Sequence, residues 1–146
     1  MVRLNLETAN AIVTAALQKA RETNTSPLAV AVLDETGQLK SFQREDETSL
    51  MRTDVATGKA WGALGMGRSS RVLGNVAAER PHFVQALTAV AQGRLVPVPG
   101  GVLIRDSSES IIGAVGISGD TSDIDEECAV AGIEATGLTA DIGVPA

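Results

Sequence analysis

The last third of the chain constrains the fold most. Gly100-Gly101-Val102-Leu103-Ile104 is followed by Ile111-Ile112-Gly113-Ala114-Val115-Gly116-Ile117-Ser118-Gly119-Asp120, and then by the acidic opening Asp123-Ile124-Asp125-Glu126-Glu127-Cys128-Ala129. Two short apolar runs separated by the polar turn Asp106-Ser107-Ser108-Glu109 predict a hairpin with strands at about Gly101–Arg105 and Ser110–Ile117. A glycine turn then hands over to a helix from about Ser122 to Thr136, with Gly137 as a stop beyond it.

The rest of the chain obeys the same logic. Leu4, Leu6, Ala9, Ile12, Val13, Ala16, Leu17 and Ala20 recur at helical spacing, with Asn5 or Thr8 as the cap and an end near Glu22. Leu28 to Leu33 reads as a buried strand, Asp34-Glu35-Thr36-Gly37 as its turn, and the alternating Leu39 to Arg44 as a partner strand. Ser49 to Met66 is helical in spacing, although Gly58, Gly62 and Gly65 each weaken a helix by about 1 kcal/mol relative to Ala and invite the close approach of another backbone. Arg68 to Glu79 and Pro81 to Gln92 predict two further helices, and the proline-rich Val96 to Gly100 an extended link. Helices between hairpins, rather than strict strand–helix alternation, favour an α+β layered domain with an antiparallel sheet. At 146 residues, one domain, 1–146, is expected. Its core must be aliphatic, because Phe42, Trp61 and Phe83 are the only aromatic residues.

Composition excludes several functions. A net charge of −6 argues against binding the phosphate backbone of nucleic acid. No apolar run approaches the roughly 20 residues that span a bilayer, and the N-terminus lacks the pattern of a secretory signal. With one cysteine, Cys128, no internal disulfide is available, and the expected location is cytoplasmic.

Few residues can carry chemistry. His82 is the sole histidine, so a two-histidine metal motif within one chain is ruled out; it reads either as a surface residue beside Pro81 or as a ligand or acid–base group. Arg52 and Lys59 lie seven apart on one predicted helix and share a face that, with Arg44, can receive a carboxylate or simply form a solvated ion-pair surface. A partly buried Lys59 would have a lowered pKa suited to proton transfer. The acidic run Asp120 to Glu127 reads as capping of its helix, with a divalent-cation site as the functional alternative; whether a metal binds is left open. Trp61 reads as a packing or interface anchor against a ligand-stacking platform.

The succession of the C-terminal third, with Ala29-Val30-Ala31-Val32-Leu33-Asp34-Glu35-Thr36-Gly37-Gln38-Leu39, Phe42, Arg44 and Gly58-Lys59-Ala60, resembles the GlcG/HbpS-like haem-binding family over nearly the whole chain. Leu103 stands where the family's GGxPI segment has proline. The resemblance implies a profilin-like, α-β-α layered domain built on a five-stranded antiparallel sheet flanked by helices, assembled into ring-like homo-oligomers up to octamers. It also implies haem as first candidate ligand, with Arg44, Lys59, Arg68 or Arg71 toward its propionates and His82 toward its iron. Family members occur in glycolate, diol and aromatic-compound operons. Two alternatives stand beside haem binding: a small catabolic enzyme acting on an organic acid or aromatic-degradation intermediate, with Lys59 and His82 as catalytic residues and an arginine clamp, and an oligomeric accessory protein.

Overall fold

The computed structural model describes residues 3–143. The elements run α1 (Leu6–Glu22), β1 (Ala29–Asp34), β2 (Leu39–Arg44), α2 (Arg52–Met66), α3 (Ser70–Glu79), α4 (Pro81–Val90), β3 (Gly101–Arg105), β4 (Ile111–Ser118), α5 (Ser122–Glu134) and β5 (Thr139–Asp141). The strands form one sheet in the order β2-β1-β4-β3-β5, every neighbouring pair antiparallel. This is the expected α+β domain with its five-stranded antiparallel sheet. The fifth strand has only three residues and follows α5, too short to leave an alternating pattern in the sequence.

Helices cover both faces of the sheet, which explains why β1 and β4 read as apolar runs rather than as alternating strands. On one face, Val30, Val32, Val102, Ile104, Val115 and Ile117 meet α1 and α5 through Ile12, Val13, Ala16, Ala129 and Ile133. On the other, Leu33, Leu103 and Ala114 pack with Ala60 and Ala63 of α2, and Ala29 and Ala31 pack with Ala56. The second face is built from small residues so that α2 can lie almost on the strands. A Cβ at Gly116 would collide with the Ala56 carbonyl oxygen, and one at Gly101 with that of Lys59.

Local signals set the ends of the elements. The Asn5 side chain caps α1 by accepting from the Thr8 amide at 2.8 Å. Asp34 Oδ1 accepts from the Thr36 and Gln38 amides, at 2.9 and 3.2 Å, and Gly37 supplies a left-handed residue, φ +84°, to close the first hairpin. Helix α2 starts at Arg52, three residues later than its spacing suggests, and Met51 at its N-cap makes no side-chain hydrogen bond. The glycines of α2 are used within the chain: a Cβ at Gly58 would come 2.9 Å from Val96, and one at Gly62 2.8 Å from Leu95, both on the segment that leads into β3. Among the described residues no helix is long and apolar enough to cross a membrane.

Candidate functional site at the end of the sheet

Lys59 lies within the apolar stripe of α2, between Ala56 and Ala60, so its amine cannot reach solvent by the shortest route. The side chain instead runs past Gly100 at the end of the sheet. There its Nζ donates to the Ile117 carbonyl at 2.9 Å and meets Asp125 Oδ2 at 3.2 Å. Both side chains are sealed, 2% and 1% exposed. The other carboxylate oxygen of Asp125 accepts from the Asp120 amide at 2.9 Å, so the acid is held at both oxygens. Gly100 is required for this path. Its φ is +123°, and a Cβ would stand 2.7 Å from the Lys59 amine.

Burial dominates the electrostatics of the pair. It pushes Lys59 down and Asp125 up, each partly offset by the opposite charge beside it, and the Arg52 charge lowers Lys59 further. The two groups are therefore drawn together on the proton scale, as expected of a salt bridge withdrawn from water.

Three further acidic residues of the α5 start, Asp120, Asp123 and Glu126, are also engaged. Asp120 accepts from the Ser26 amide at 2.8 Å and the Thr121 amide at 2.7 Å. Arg71 of α3 pairs with Glu126 at 3.0 Å and with Asp123, which ties α3 to the first turns of α5. Capping and ion pairing thus account for these carboxylates, and among the described residues no three His, Cys, Asp or Glu gather to hold a metal ion.

Next to the sealed pair, Arg52 donates from Nη1 to Ser118 Oγ at 3.1 Å and is only half-buried. Arg52 and Lys59 thus meet adjacent residues of β4, as their shared helix face requires. Arg44 joins them from the other side: it pairs in register with Ala29, which pairs with Ser118, so Arg44, Ala29 and Ser118 form one row across β2, β1 and β4 on the face that carries α2. Arg44 is exposed, and its guanidinium has no partner among the described residues. An open recess of about 400 Å³ lined by Ser49, Leu50, Met51, Arg52 and Val55 lies at this end of α2. Leu50 and Met51 are 87% and 71% exposed there.

The other candidates sit elsewhere. His82 is exposed on the first turn of α4, behind Pro81, and contributes nothing to the sheet-end cluster or the recess. Trp61 is half-buried with the Arg94 guanidinium 3.8 Å from the centre of its ring, at a groove of about 260 Å³ that also includes Met66, Leu87, Val90 and Leu95. Sequence reasoning took Asp125 for a helix-start acid and passed over Ser118. Part of the signal for the first was present: a lysine at an apolar position of a helical stripe needs a buried acid, but spacing alone does not say which of the chain's 18 acidic residues supplies it.

Together these features describe a small α+β domain whose helices on opposite faces of one antiparallel sheet are joined by a salt bridge around its end, with a largely apolar recess lined in part by Arg52 at the start of α2. The chain belongs to the family described as haem degrading protein HbpS-like, whose model matches residues 4–134. Among solved structures, the PduOC–haem complex is 26% identical with a TM-score of 0.86, covering 96% of this chain and 99% of that one. Protein ORFY of Klebsiella pneumoniae is 27% identical, TM-score 0.83, covering 94% and 93%. HbpS is 24% identical, TM-score 0.79, covering 92% and 91%, and shares the fold. A comparison with curated proteins finds no match.

Proposed function

We propose that this protein binds haem, or a flat carboxylate-bearing ring of the same kind, in the recess at the start of α2. The observation that carries this reading is an apolar shelf of exposed Leu50 and Met51 and half-buried Val55 with Arg52 in its lining, while Arg44, without a side-chain partner among the described residues, stands in the sheet row of Ser118, to which Arg52 donates. That combination matches what such a ring presents: an apolar body that gains from leaving water and carboxylates that seek guanidinium groups. Leu50, Met51 and Val55 would take the ring, and Arg44 and Arg52 its carboxylates. When bound, haem would supply a redox-active iron. The haem bound by the PduOC relative supports the same choice of ligand.

In this reading Lys59 ties α2 to the end of the sheet and does not touch the ligand. An acid–base role would require its amine to meet a substrate, and the amine is enclosed by Gly100, Ile117 and Asp125. Titration of the protein with hemin tests the proposal. A saturable Soret shift near one equivalent is expected, and it should disappear in Leu50→Asp, whose side chain is too exposed to matter for folding. Absence of saturable binding by the unaltered protein overturns the reading.

A second reading concerns assembly, and the observation that favours it is the apolar groove between α2 and α4. Val90 at its edge is 80% exposed beside Trp61, Met66 and Leu87. We infer that copies of this cytoplasmic protein pack through that groove into a homo-oligomer, up to the octamer the family resemblance implies. Light scattering on Val90→Glu should report a smaller species than the unaltered protein; equal masses would exclude this groove as the contact.

A further inference from the structure

We propose that the groove between α2 and α4 binds a small monocarboxylate with an apolar body, its carboxylate held by Arg94. The groove has opposing walls, Trp61 and Met66 of α2 against Leu87 and Val90 of α4, and is completed by Ala91 and Leu95 of the following segment, each only 7% exposed. None of its lining residues carries a charge, so an apolar body placed there gains from leaving water. At about 260 Å³ it is smaller than the roughly 300–1,000 Å³ of sites for drug-sized ligands, which limits the occupant to a small molecule. It lies at the opposite end of α2 from the recess, and the assembly reading uses Val90 at its edge rather than the buried Ala91 and Leu95.

Arg94 brings a fixed positive charge to this groove. Its guanidinium lies 3.8 Å from the centre of the Trp61 ring, and its Nε donates to the Ala91 carbonyl at 2.9 Å, so two lining residues hold it in place. Arg21, Arg71 and Arg105 are paired with carboxylates of the chain, whereas Arg94 meets none among the described residues, and the two terminal nitrogens of its fork have no partner there. A guanidinium held by one face and one N–H presents its remaining donors in the geometry that a carboxylate accepts. A second charged group on the ligand would be set against uncharged walls without a partner, and a neutral apolar molecule would leave the fork unused. One carboxylate on an apolar body satisfies both parts of the site.

Trp61 is the sole tryptophan, so its fluorescence reports on this groove directly. The full chain is titrated with hexanoate, and with hexanamide and acetate, which lack the charge and the apolar body respectively. The hexanoate titration is repeated on Arg94→Gln and Arg44→Gln, with circular dichroism to verify folding. Expected is a saturable change with hexanoate, weakened roughly tenfold or more both for hexanamide and in Arg94→Gln, and unaltered in Arg44→Gln. Acetate should not saturate. Equal affinity for hexanoate and hexanamide overturns the carboxylate assignment on the unaltered protein alone, and unchanged affinity in a folded Arg94→Gln does the same. No saturable change with hexanoate overturns the site, while hemin titration and light scattering decide the two readings above independently.

Discussion

Lys59 and Asp125 stand on helices that cover opposite faces of the sheet, and their side chains meet at its end, 3.2 Å apart and shut off from solvent. The sequence motifs converge on this contact: Gly100 clears its path, Ile117 accepts from the amine, and Asp120 donates to the acid. The pair fixes where α2 begins relative to β4, and with it the position of Arg52 and the recess.

Removing one partner leaves a buried charge without its counterpart. Lys59→Met should therefore cost about 3–5 kcal/mol of stability in urea unfolding. Asp125→Asn can still accept from the Asp120 amide, so the double variant Lys59→Met/Asp125→Asn should lose less than the sum of the two single losses, by about 0.5–3 kcal/mol. Strict additivity would show that the two side chains are not energetically coupled.

Two carboxyls of the α5 start should titrate in opposite directions. Hydrogen bonds from the Ser26 and Thr121 amides hold Asp120 below the ordinary 3.8, so its folded form binds fewer protons than the unfolded chain. Its contribution to stability is present above 3.8 and is lost as pH falls through the folded value. Burial pushes Asp125 above 3.8, so its contribution has the reverse sign, full below 3.8 and lost as pH rises through the folded value. Carbon NMR of the carboxyl groups would resolve the two midpoints on either side of 3.8; coincident midpoints would refute the assigned hydrogen bonding.

Close approach of α2 to the sheet predicts glycine substitutions of opposite sign. Gly116→Ala drives a methyl group into the Ala56 carbonyl and should destabilise by about 1–3 kcal/mol or more. Gly65→Ala, on α2 itself with only ordinary contact to Trp61 at 3.8 Å, should stabilise by about 0.4–1 kcal/mol. Thermal unfolding of the two variants reads both signs.

Arg44 separates binding from folding. It is exposed and has no side-chain partner among the described residues, so Arg44→Ala should change stability by no more than about 0.5 kcal/mol. Loss of one charge-assisted contact should weaken hemin binding roughly tenfold. Unchanged affinity would remove Arg44 from the carboxylate pair.

Much of this architecture is written locally. The hairpin turn at Asp34 to Gly37, the cap at Asn5 and the strand–turn–helix of residues 101–134 depend on neighbours in sequence, and periodicity finds them. The sheet-end site does not depend on neighbours. Lys59 and Asp125 are 66 residues apart, and Arg44 reaches Ser118 only through the register of β1 with two partners. Likewise, the glycines of α2 signal a close backbone without saying whose, and the segment that fills them is the chain's own residues 94–96. Strand β5 escapes because three residues cannot display a period, and its place comes from pairing with β3.

The most direct measurement is a crystal structure of the protein grown with hemin. The account predicts electron density for the ring against Leu50, Met51 and Val55, with carboxylates on Arg44 and Arg52 and the Lys59–Asp125 contact intact beneath it. A ring seated instead in the groove of Trp61, Leu87 and Val90, or ligated by His82 on α4, would contradict it.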